Sequence, residues 1–359
     1  MASLANGHQT DERAGRTDAA VAEPPVLRLE HVTKRLEGRE VVSDLSLAVP
    51  PRALFALIGP SGSGKSTTVR LACGLYRPDA GSVSLLGHTR APWPRALRAR
   101  IGYMPQGDSL YPRLTVSENL RYAGALRGLA RAAIRARVGD LLRLVELEAQ
   151  RAQQAGRLSG GQRRRLALAI ALVDEPEVLF VDEPTAGLDP ALRARLWSYF
   201  RSLTGRGRTV IITTQHIDEA ELTDAVAVLR AGRLVANGTP AALARQAFGG
   251  DVVLVQSADL TAKAARAVEQ IAGVRGVRFA DLETLEVVSE RGEQVVPRIL
   301  TVLAEEGCVV RAIGPRHPRF EEVFLRLTGV APLPEFAGGD AETGGASAAA
   351  ASEVRHGSA

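Results

Sequence analysis

The sequence predicts an α/β protein in which helices cover a mostly parallel sheet, with a small α+β domain at the C-terminal end. Between residue 26 and about residue 248, short apolar runs alternate with longer helical patterns, which is typical of parallel strands joined by helices. The order of elements changes after Gly249 and Gly250. The 359 residues are also enough for two to three domains of roughly 100–200 residues each.

Composition and charge exclude several classes of protein. With 45% hydrophobic and 24% charged residues, the chain is neither disordered throughout nor fibrous. Its longest apolar run, residues 166–173, is far shorter than the roughly 18 residues that indicate a membrane-spanning helix. The N-terminal residues show no signal pattern, and Cys73 and Cys308 show no metal-ligand spacing, so we predict a cytoplasmic location. The net charge of +5 comes from dispersed arginines without interleaved aromatics, and we expect no nucleic-acid partner.

Four segments follow from these patterns. Residues 1–25 and 331–359 are polar or rich in Ala and Gly, so we predict that both are disordered. Residues 26–248 form the main domain. Residues 249–330 form the small domain, with strands and helices in the order βαββαβ and with Pro297 in the first turn of the second helix. A last amphipathic helix, residues 319–327, is predicted to close the small domain.

The clearest chemical signal lies between an apolar strand and a helical pattern. It is the phosphate-loop motif G-x-x-x-x-G-K-[ST], which reads Gly59-Pro60-Ser61-Gly62-Ser63-Gly64-Lys65-Ser66-Thr67. Glycines let successive backbone N–H groups turn toward phosphate oxygens, and the following helix adds the positive end of its dipole. We expect Lys65 to hold the β- and γ-phosphates of a nucleotide and Ser66 to bind Mg²⁺.

Two further clusters predict a carboxylate pair and a second anion site. Residues 178–181 are apolar and lead directly into Asp182 and Glu183, which predicts a buried strand that ends in two carboxylates. Asp182 is expected beside Mg²⁺, and Glu183 is expected to orient water at the γ-phosphate. The second cluster, Leu158-Ser159-Gly160-Gly161-Gln162, precedes a helical pattern and predicts a second anion site at a helix start.

At this point the sequence resembles the ATP-binding-cassette family of P-loop NTPases over about residues 26–245. The resemblance rests on the phosphate loop, the 158–162 signature, the Asp182-Glu183 pair, Gln106 in Tyr-Met-Pro-Gln, and Asp189 in Gly-Leu-Asp-Pro. It implies a cassette with antiparallel β and helical subdomains, in which two cassettes pair head to tail around ATP. Gln106 is then implied to sense Mg²⁺ near a membrane partner, and Asp189 to link the two sites.

Two positions depart from the family pattern. The family has an adenine-stacking aromatic residue where Leu36 stands, and Leu36 or a neighbouring side chain then packs on the base. The family's switch histidine lies five residues before the Ala of Glu219-Ala220, which is the position of Gln215. A Gln amide can donate a hydrogen bond to the γ-phosphate but does not titrate. We favour Gln215 as the switch residue, with His216 as the alternative.

The prediction is therefore an ATPase subunit of an exporter that acts with a separate membrane permease at the inner face of the cell membrane. Residues 185–190 and 320–329 resemble the drug-resistance export branch of the family. The partner cassette is a second copy or a related chain. The alternatives are an ATPase of the same family that acts on ribosomes or nucleic acid, and a module that uses nucleotide only as a switch.

Overall fold

The structure is a computed structural model that describes residues 23–89, 92–107 and 109–329. The disorder predicted for residues 1–25 and 331–359 therefore lies outside the described residues, apart from residues 23–25. Within the described ranges, no helix has the length and apolarity needed to span a membrane.

Strands and helices alternate along the described chain. The strands are β1 (Leu27–Leu36), β2 (Arg39–Val49), β3 (Leu54–Ile58), β4 (Ala80–Leu85), β5 (Ile101–Met104), β6 (Val178–Asp182), β7 (Thr209–Thr214), β8 (Ala225–Arg230), β9 (Arg233–Gly238), β10 (Asp251–Ser257), β11 (Val274–Phe279), β12 (Thr284–Ser289) and β13 (Val310–Arg316). The helices are α1 (Lys65–Ala72), α2 (Arg95–Arg98), α3 (Val116–Leu126), α4 (Arg131–Leu144), α5 (Gly160–Ala171), α6 (Pro190–Gly205), α7 (Pro240–Phe248), α8 (Ala262–Glu269), α9 (Gly292–Glu305) and α10 (Phe320–Thr328). Short 3₁₀ helices lie at Ala155–Arg157 and Ile217–Leu222.

A six-stranded sheet forms the centre of the main domain. Its strand order is β5-β6-β7-β3-β8-β9, and every neighbouring pair is parallel except β8 with β9. Every residue of β3, β6 and β7 is buried, as expected of parallel strands with helices on both faces. The parallel sheet predicted from the apolar runs is confirmed, and it brings the carboxyl ends of β3, β6 and β7 to one edge.

Two smaller layers flank this sheet. Strands β2, β1 and β4 form an antiparallel sheet whose apolar face packs with Leu71 of α1 in one buried cluster. Helices α3, α4 and α5 pack together through Leu120, Leu142 and Leu168. This arrangement matches the antiparallel β and helical subdomains that the family resemblance implies.

The C-terminal residues form a separate antiparallel sheet in the order β11-β12-β10-β13. Helices α8 and α9 cover it, with Val268 and Ile299 in its apolar cluster. Helix α9 begins at Gly292, whose backbone N–H donates to Asp251 Oδ2 at 3.0 Å. Pro297 therefore lies inside the helix, and its predicted place in the first turn was wrong because the Asp251 contact starts the helix several residues earlier.

Helix α10 does not close the small sheet, so that prediction was also wrong. Phe320, Val323 and Phe324 are buried in the same cluster as Ile58 of β3, which belongs to the main domain. The backbone N–H of Phe320 also donates to Glu221 Oε1 at 2.8 Å. The apolar stripe of α10 thus covers an apolar surface of the main domain, which sequence periodicity alone does not identify.

This packing predicts that Phe320→Ala destabilises the main domain by about 3–5 kcal/mol, because a buried aromatic side chain is removed. The two tryptophans, Trp93 and Trp197, are both buried in the main domain, so their fluorescence reports its unfolding in urea. The matched control is Ile299→Ala, a truncation in the small sheet. We expect Phe320→Ala to lower the fluorescence midpoint much more than Ile299→Ala does. The opposite ranking would place α10 with the small sheet.

Candidate active site

The phosphate loop connects β3 to α1 and needs glycine at two positions. Gly64 has φ +99°, and a Cβ there would lie 2.8 Å from the carbonyl oxygen of Val41. At Gly59 a Cβ would lie 2.2 Å from the carbonyl oxygen of Leu229, closer than any side chain can approach. Ser61 and Gly62 are exposed at the rim of the loop, whereas Ser63 and Thr67 are buried. The backbone therefore keeps the tight curvature that points its N–H groups inward.

The Lys65 side chain is folded inside this loop. Its Nζ donates to the carbonyl oxygens of Gly59 and Pro60 at 2.8 and 3.0 Å. Burial lowers the pKa of Lys65, and the nearby Glu183 and Asp182 carboxylates oppose that shift. The ammonium group is thus held where phosphate oxygens can replace the two carbonyls as acceptors.

Asp182 lies at the end of β6, next to the phosphate loop. Ser66 Oγ donates to Asp182 Oδ1 at 3.0 Å, and Thr213 Oγ1 of β7 donates to the same oxygen. Asp182 is fully buried, and its Oδ2 has no hydrogen-bond partner among the described residues. A buried carboxylate oxygen without a partner is costly unless a cation is bound there. A hydroxyl and a carboxylate are oxygen ligands that Mg²⁺ accepts, so these residues fit the metal.

Glu183 is held by two amides that come from neighbouring strands of the sheet. Gln106, two residues after β5, donates from Nε2 to Glu183 Oε2 at 3.1 Å, and Gln215, directly after β7, donates to Oε1. The Glu183 backbone has φ +52°, a conformation that is strained for a side chain other than glycine. Its N–H donates to the carbonyl and hydroxyl oxygens of Thr213. The carboxylate is therefore fixed by contacts on both of its oxygens.

Gln215 and His216 differ clearly in their surroundings. Both residues are exposed, but Gln215 Nε2 donates to Glu183 Oε1, whereas the His216 ring makes no hydrogen bond to another described residue. The His216 backbone N–H donates to Thr214 Oγ1 at 3.0 Å and precedes the 3₁₀ helix Ile217–Leu222. We call residues 215–222 the switch segment.

Of the signature residues at the start of α5, Ser159, Gly160 and Gly161 are exposed, whereas Leu158 is buried. Ser159 Oγ accepts from the Gln162 backbone N–H at 3.2 Å, and Gln162 Oε1 accepts from the Ser159 N–H at 3.0 Å. A Cβ at Gly160 or Gly161 would meet nothing within 4 Å. Within the described residues, no hydrogen bond joins this helix start to the phosphate loop. The second predicted anion site is therefore exposed, and the Gln162 side chain is engaged in capping the helix.

A cavity of about 400 Å³ lies between the Gln106 loop and the start of α5. Gln106, Gly107, Gly160, Gly161 and Gly187 are among its lining residues. The Gln106 loop and the start of α5 therefore line the same cavity.

Asp189 and Leu36 are the two remaining residues that the sequence predicts for the site. Asp189 caps α6, where its Oδ1 accepts from the Leu192 backbone N–H at 3.0 Å, and this bond holds the pKa of Asp189 below its usual value. Leu36 is the last residue of β1 and is half-buried opposite Arg39 of β2.

Thr213 was not predicted from the sequence as a site residue. Its hydroxyl donates to Asp182 and accepts from the Glu183 backbone N–H. The only sequence signal for this role is a polar residue near the carboxyl end of a buried strand.

Comparisons with known proteins agree with this geometry. Residues 42–186 match the family model described as ABC transporter. The Nod factor export ATP-binding protein I of Ralstonia nicotianae is 38% identical over 310 residues, which cover 86% of this chain and 95% of that protein. The chain belongs to the ABC transporter family.

Solved ABC cassettes share the same fold. The structure of an ATP-binding subunit of an ABC transporter has a TM-score of 0.58 at 31% identity, covering 62% of this chain and 93% of the other. A dimeric post-hydrolysis ATP-binding cassette bound to ADP and Pi has a TM-score of 0.56 at 26% identity, covering 59% and 98%. The protein is an ABC ATPase that uses ATP with Mg²⁺, and it is the nucleotide-binding subunit of an exporter.

Proposed function

We propose that two copies of this ABC ATPase pair head to tail, so that each ATP lies between the phosphate loop of one chain and the Ser159–Gln162 segment of the other. The observation that carries this proposal is the separation of the two anion sites within one chain. Lys65 and Asp182 lie together beside the phosphate loop, whereas the open start of α5 faces solvent. A second chain supplies the missing contact, which makes the interface symmetric.

Within one site, each of the chain's polar residues has a separate role in hydrolysis. Ser66 and Asp182 would hold Mg²⁺, which neutralises charge on the β- and γ-phosphate oxygens when bound. The Lys65 ammonium exchanges the carbonyl oxygens of Gly59 and Pro60 for phosphate oxygens. Glu183 accepts a proton from the attacking water, and Gln106 and Gln215 keep its carboxylate in position. Positioning and charge stabilisation thus supply most of the catalysis.

Gln215 is the proposed switch residue, so Gln215→Ala should lower ATP hydrolysis by about 10²-fold, as expected for the loss of one positioned hydrogen-bond donor. His216→Ala is the matched control on the neighbouring residue and should change the rate by no more than about twofold, since the exposed His216 ring makes no hydrogen bond to another described residue. Steady-state phosphate release measures both variants. A larger loss in His216→Ala would assign the switch role to His216 instead.

The dimer predicts that the activity depends on concentration. If each site needs two chains, the ATPase activity per molecule rises with protein concentration until the dimer is saturated. A monomeric enzyme would show constant specific activity over the same range. The proposal fails if specific activity is constant while light scattering shows a change from monomer to dimer.

The exporter arrangement adds a membrane partner. We propose that residues 26–248 form the ATP-binding domain, that residues 249–330 form a second, smaller domain, and that the dimer binds a separate permease at the inner face of the cell membrane. The similarity to a Nod factor export protein supports this arrangement. Copurification of the chain with a multi-spanning permease from its own cells tests it, and recovery with ribosomes or nucleic acid instead would favour the alternative.

A further inference from the structure

One buried carboxylate takes no part in the machinery described so far. Glu219 lies in the switch segment and is fully buried. Neither of its carboxylate oxygens has a hydrogen-bond partner among the described residues. A buried carboxylate is costly unless a cation and hydrogen bonds compensate for the lost water.

The cationic side chain nearest to the Glu219 carboxylate is Arg193, which lies on α6. Arg193 Nε lies 3.8 Å from Glu219 Oε1. This separation qualifies as an ion pair, but it exceeds the roughly 3.2 Å limit of a good N–H···O hydrogen bond. The Arg193 Nε is also buried and has no hydrogen-bond partner among the described residues. The pair therefore has hydrogen-bonding capacity left on both sides.

Each member of the pair is tied to a different part of the active site. Arg193 is the fourth residue of α6, and its backbone N–H donates to the carbonyl oxygen of Asp189, the residue that caps this helix. Glu219 donates its backbone N–H to the carbonyl oxygen of His216 at 3.3 Å, so it lies in one short turn with the residue that follows Gln215. The ion pair thus bridges the first turn of α6 and the switch segment.

The remaining neighbours leave the switch segment little freedom. Ala220 is fully buried in the same cluster as Ile58, the last residue of β3 before the phosphate loop. Glu221 accepts the first backbone N–H of α10. Because residues 220 and 221 are anchored, a backbone movement that carries Glu219 toward Arg193 falls on the start of the segment, where Gln215 holds Glu183.

We propose that Arg193 and Glu219 are positioning residues for ATP hydrolysis, which link the Asp189 end of α6 to the switch segment. The pair rests on the proposed roles of Glu183 and Gln215, since it acts only through them. Docking of a second chain at Asp189 fixes the first turn of α6, brings the guanidinium to hydrogen-bond distance from Glu219, and so fixes Gln215 against Glu183. Neither residue touches ATP, so ATP binding does not depend on them.

The test compares Arg193→Gln, Glu219→Gln and the double variant. Arg195→Gln is the matched control because Arg195 also lies on α6 and its substitution breaks a 2.6 Å ion pair, here with Glu146. Assays run well below each variant's melting temperature give kcat and KM for ATP. We expect each single variant to lower kcat about tenfold with KM within about twofold, as for an interaction that acts in the transition state. The double variant should be no slower than the slower single variant, and Arg195→Gln should match the parent chain.

Two further variants separate the possible failures. Arg193→Lys keeps the charge and should retain more activity than Arg193→Gln, whereas a purely structural pair would lower melting temperatures and leave kcat unchanged. That result, or additive losses in the double variant, overturns the inference. Arg193 is part-exposed, so the Arg193 variants still test the role of the pair if Glu219→Gln does not fold.

Glu183→Gln, measured in the same series, separates failure of the proposed function from failure of this inference. If Glu183→Gln hydrolyses ATP normally, the proposed function fails. If Glu183→Gln is inactive while Arg193→Gln and Glu219→Gln keep full kcat, the proposed function stands and the positioning role of the Arg193–Glu219 pair is wrong.

Discussion

Glu183→Gln should reduce ATP hydrolysis by about 10²–10⁴-fold, the usual contribution of a positioned general base. The Gln amide has the same shape but cannot accept a proton from water at neutral pH. ATP binding should persist, because Lys65 and Ser66 are unchanged, so the variant should accumulate as an ATP-bound dimer. Phosphate release and size-exclusion chromatography with ATP measure the two effects.

The control for this variant is Glu177→Gln. Glu177 directly precedes β6 and forms an exposed ion pair with Arg100 at 2.7 Å, away from the site. We expect it to hydrolyse ATP at the rate of the parent chain. Normal hydrolysis by Glu183→Gln would show that this carboxylate is not the base.

Lys65→Ala should weaken ATP binding by about 10²–10⁴-fold. The lysine is expected to make two charge-assisted hydrogen bonds to phosphate oxygens, each contributing about 1.5–3 kcal/mol. Lys263→Ala is the control, since Lys263 is exposed and paired with Glu306 in the small domain. Titration of a fluorescent ATP analogue measures both affinities. Equal affinities for the two variants would contradict the role assigned to Lys65.

The sequence predicts the centre of the site well because its signals are local. A phosphate loop needs its glycines and lysine within nine residues, and the strand before Asp182 is a continuous apolar run. Parallel strands with crossover helices then bring the carboxyl ends of β3 and β6 together, so Ser66 and Asp182 meet although they are far apart in the chain. The contact of Gln215 with Glu183 agrees with the position inferred by counting from Ala220, and its role in catalysis stays a prediction.

Contacts between distant segments were not predictable in the same way. The apolar stripe of α10 fits either the small sheet or the main domain, and only the structure shows that Phe320 and Phe324 pack against the main domain. The start of α9 depends on Asp251, which lies 41 residues earlier in the chain. The pairing of Arg193 with Glu219 likewise has no signature in sequence, because each residue alone resembles an ordinary charged residue near a helix end.

The central claim is that each ATP site is built from two chains, and mixing two inactive variants tests it most directly. Lys65→Ala lacks the phosphate-loop lysine, and Ser159→Arg blocks the open start of α5. Each variant alone should be nearly inactive, whereas a mixed dimer contains one site with Lys65 from one chain and Ser159 from the other. About a quarter of the parent activity is then expected in an equimolar mixture, since half of the dimers are mixed and each has one intact site. If the mixture stays as inactive as its components, or if Ser159→Arg alone hydrolyses ATP at the full rate, the shared site is contradicted.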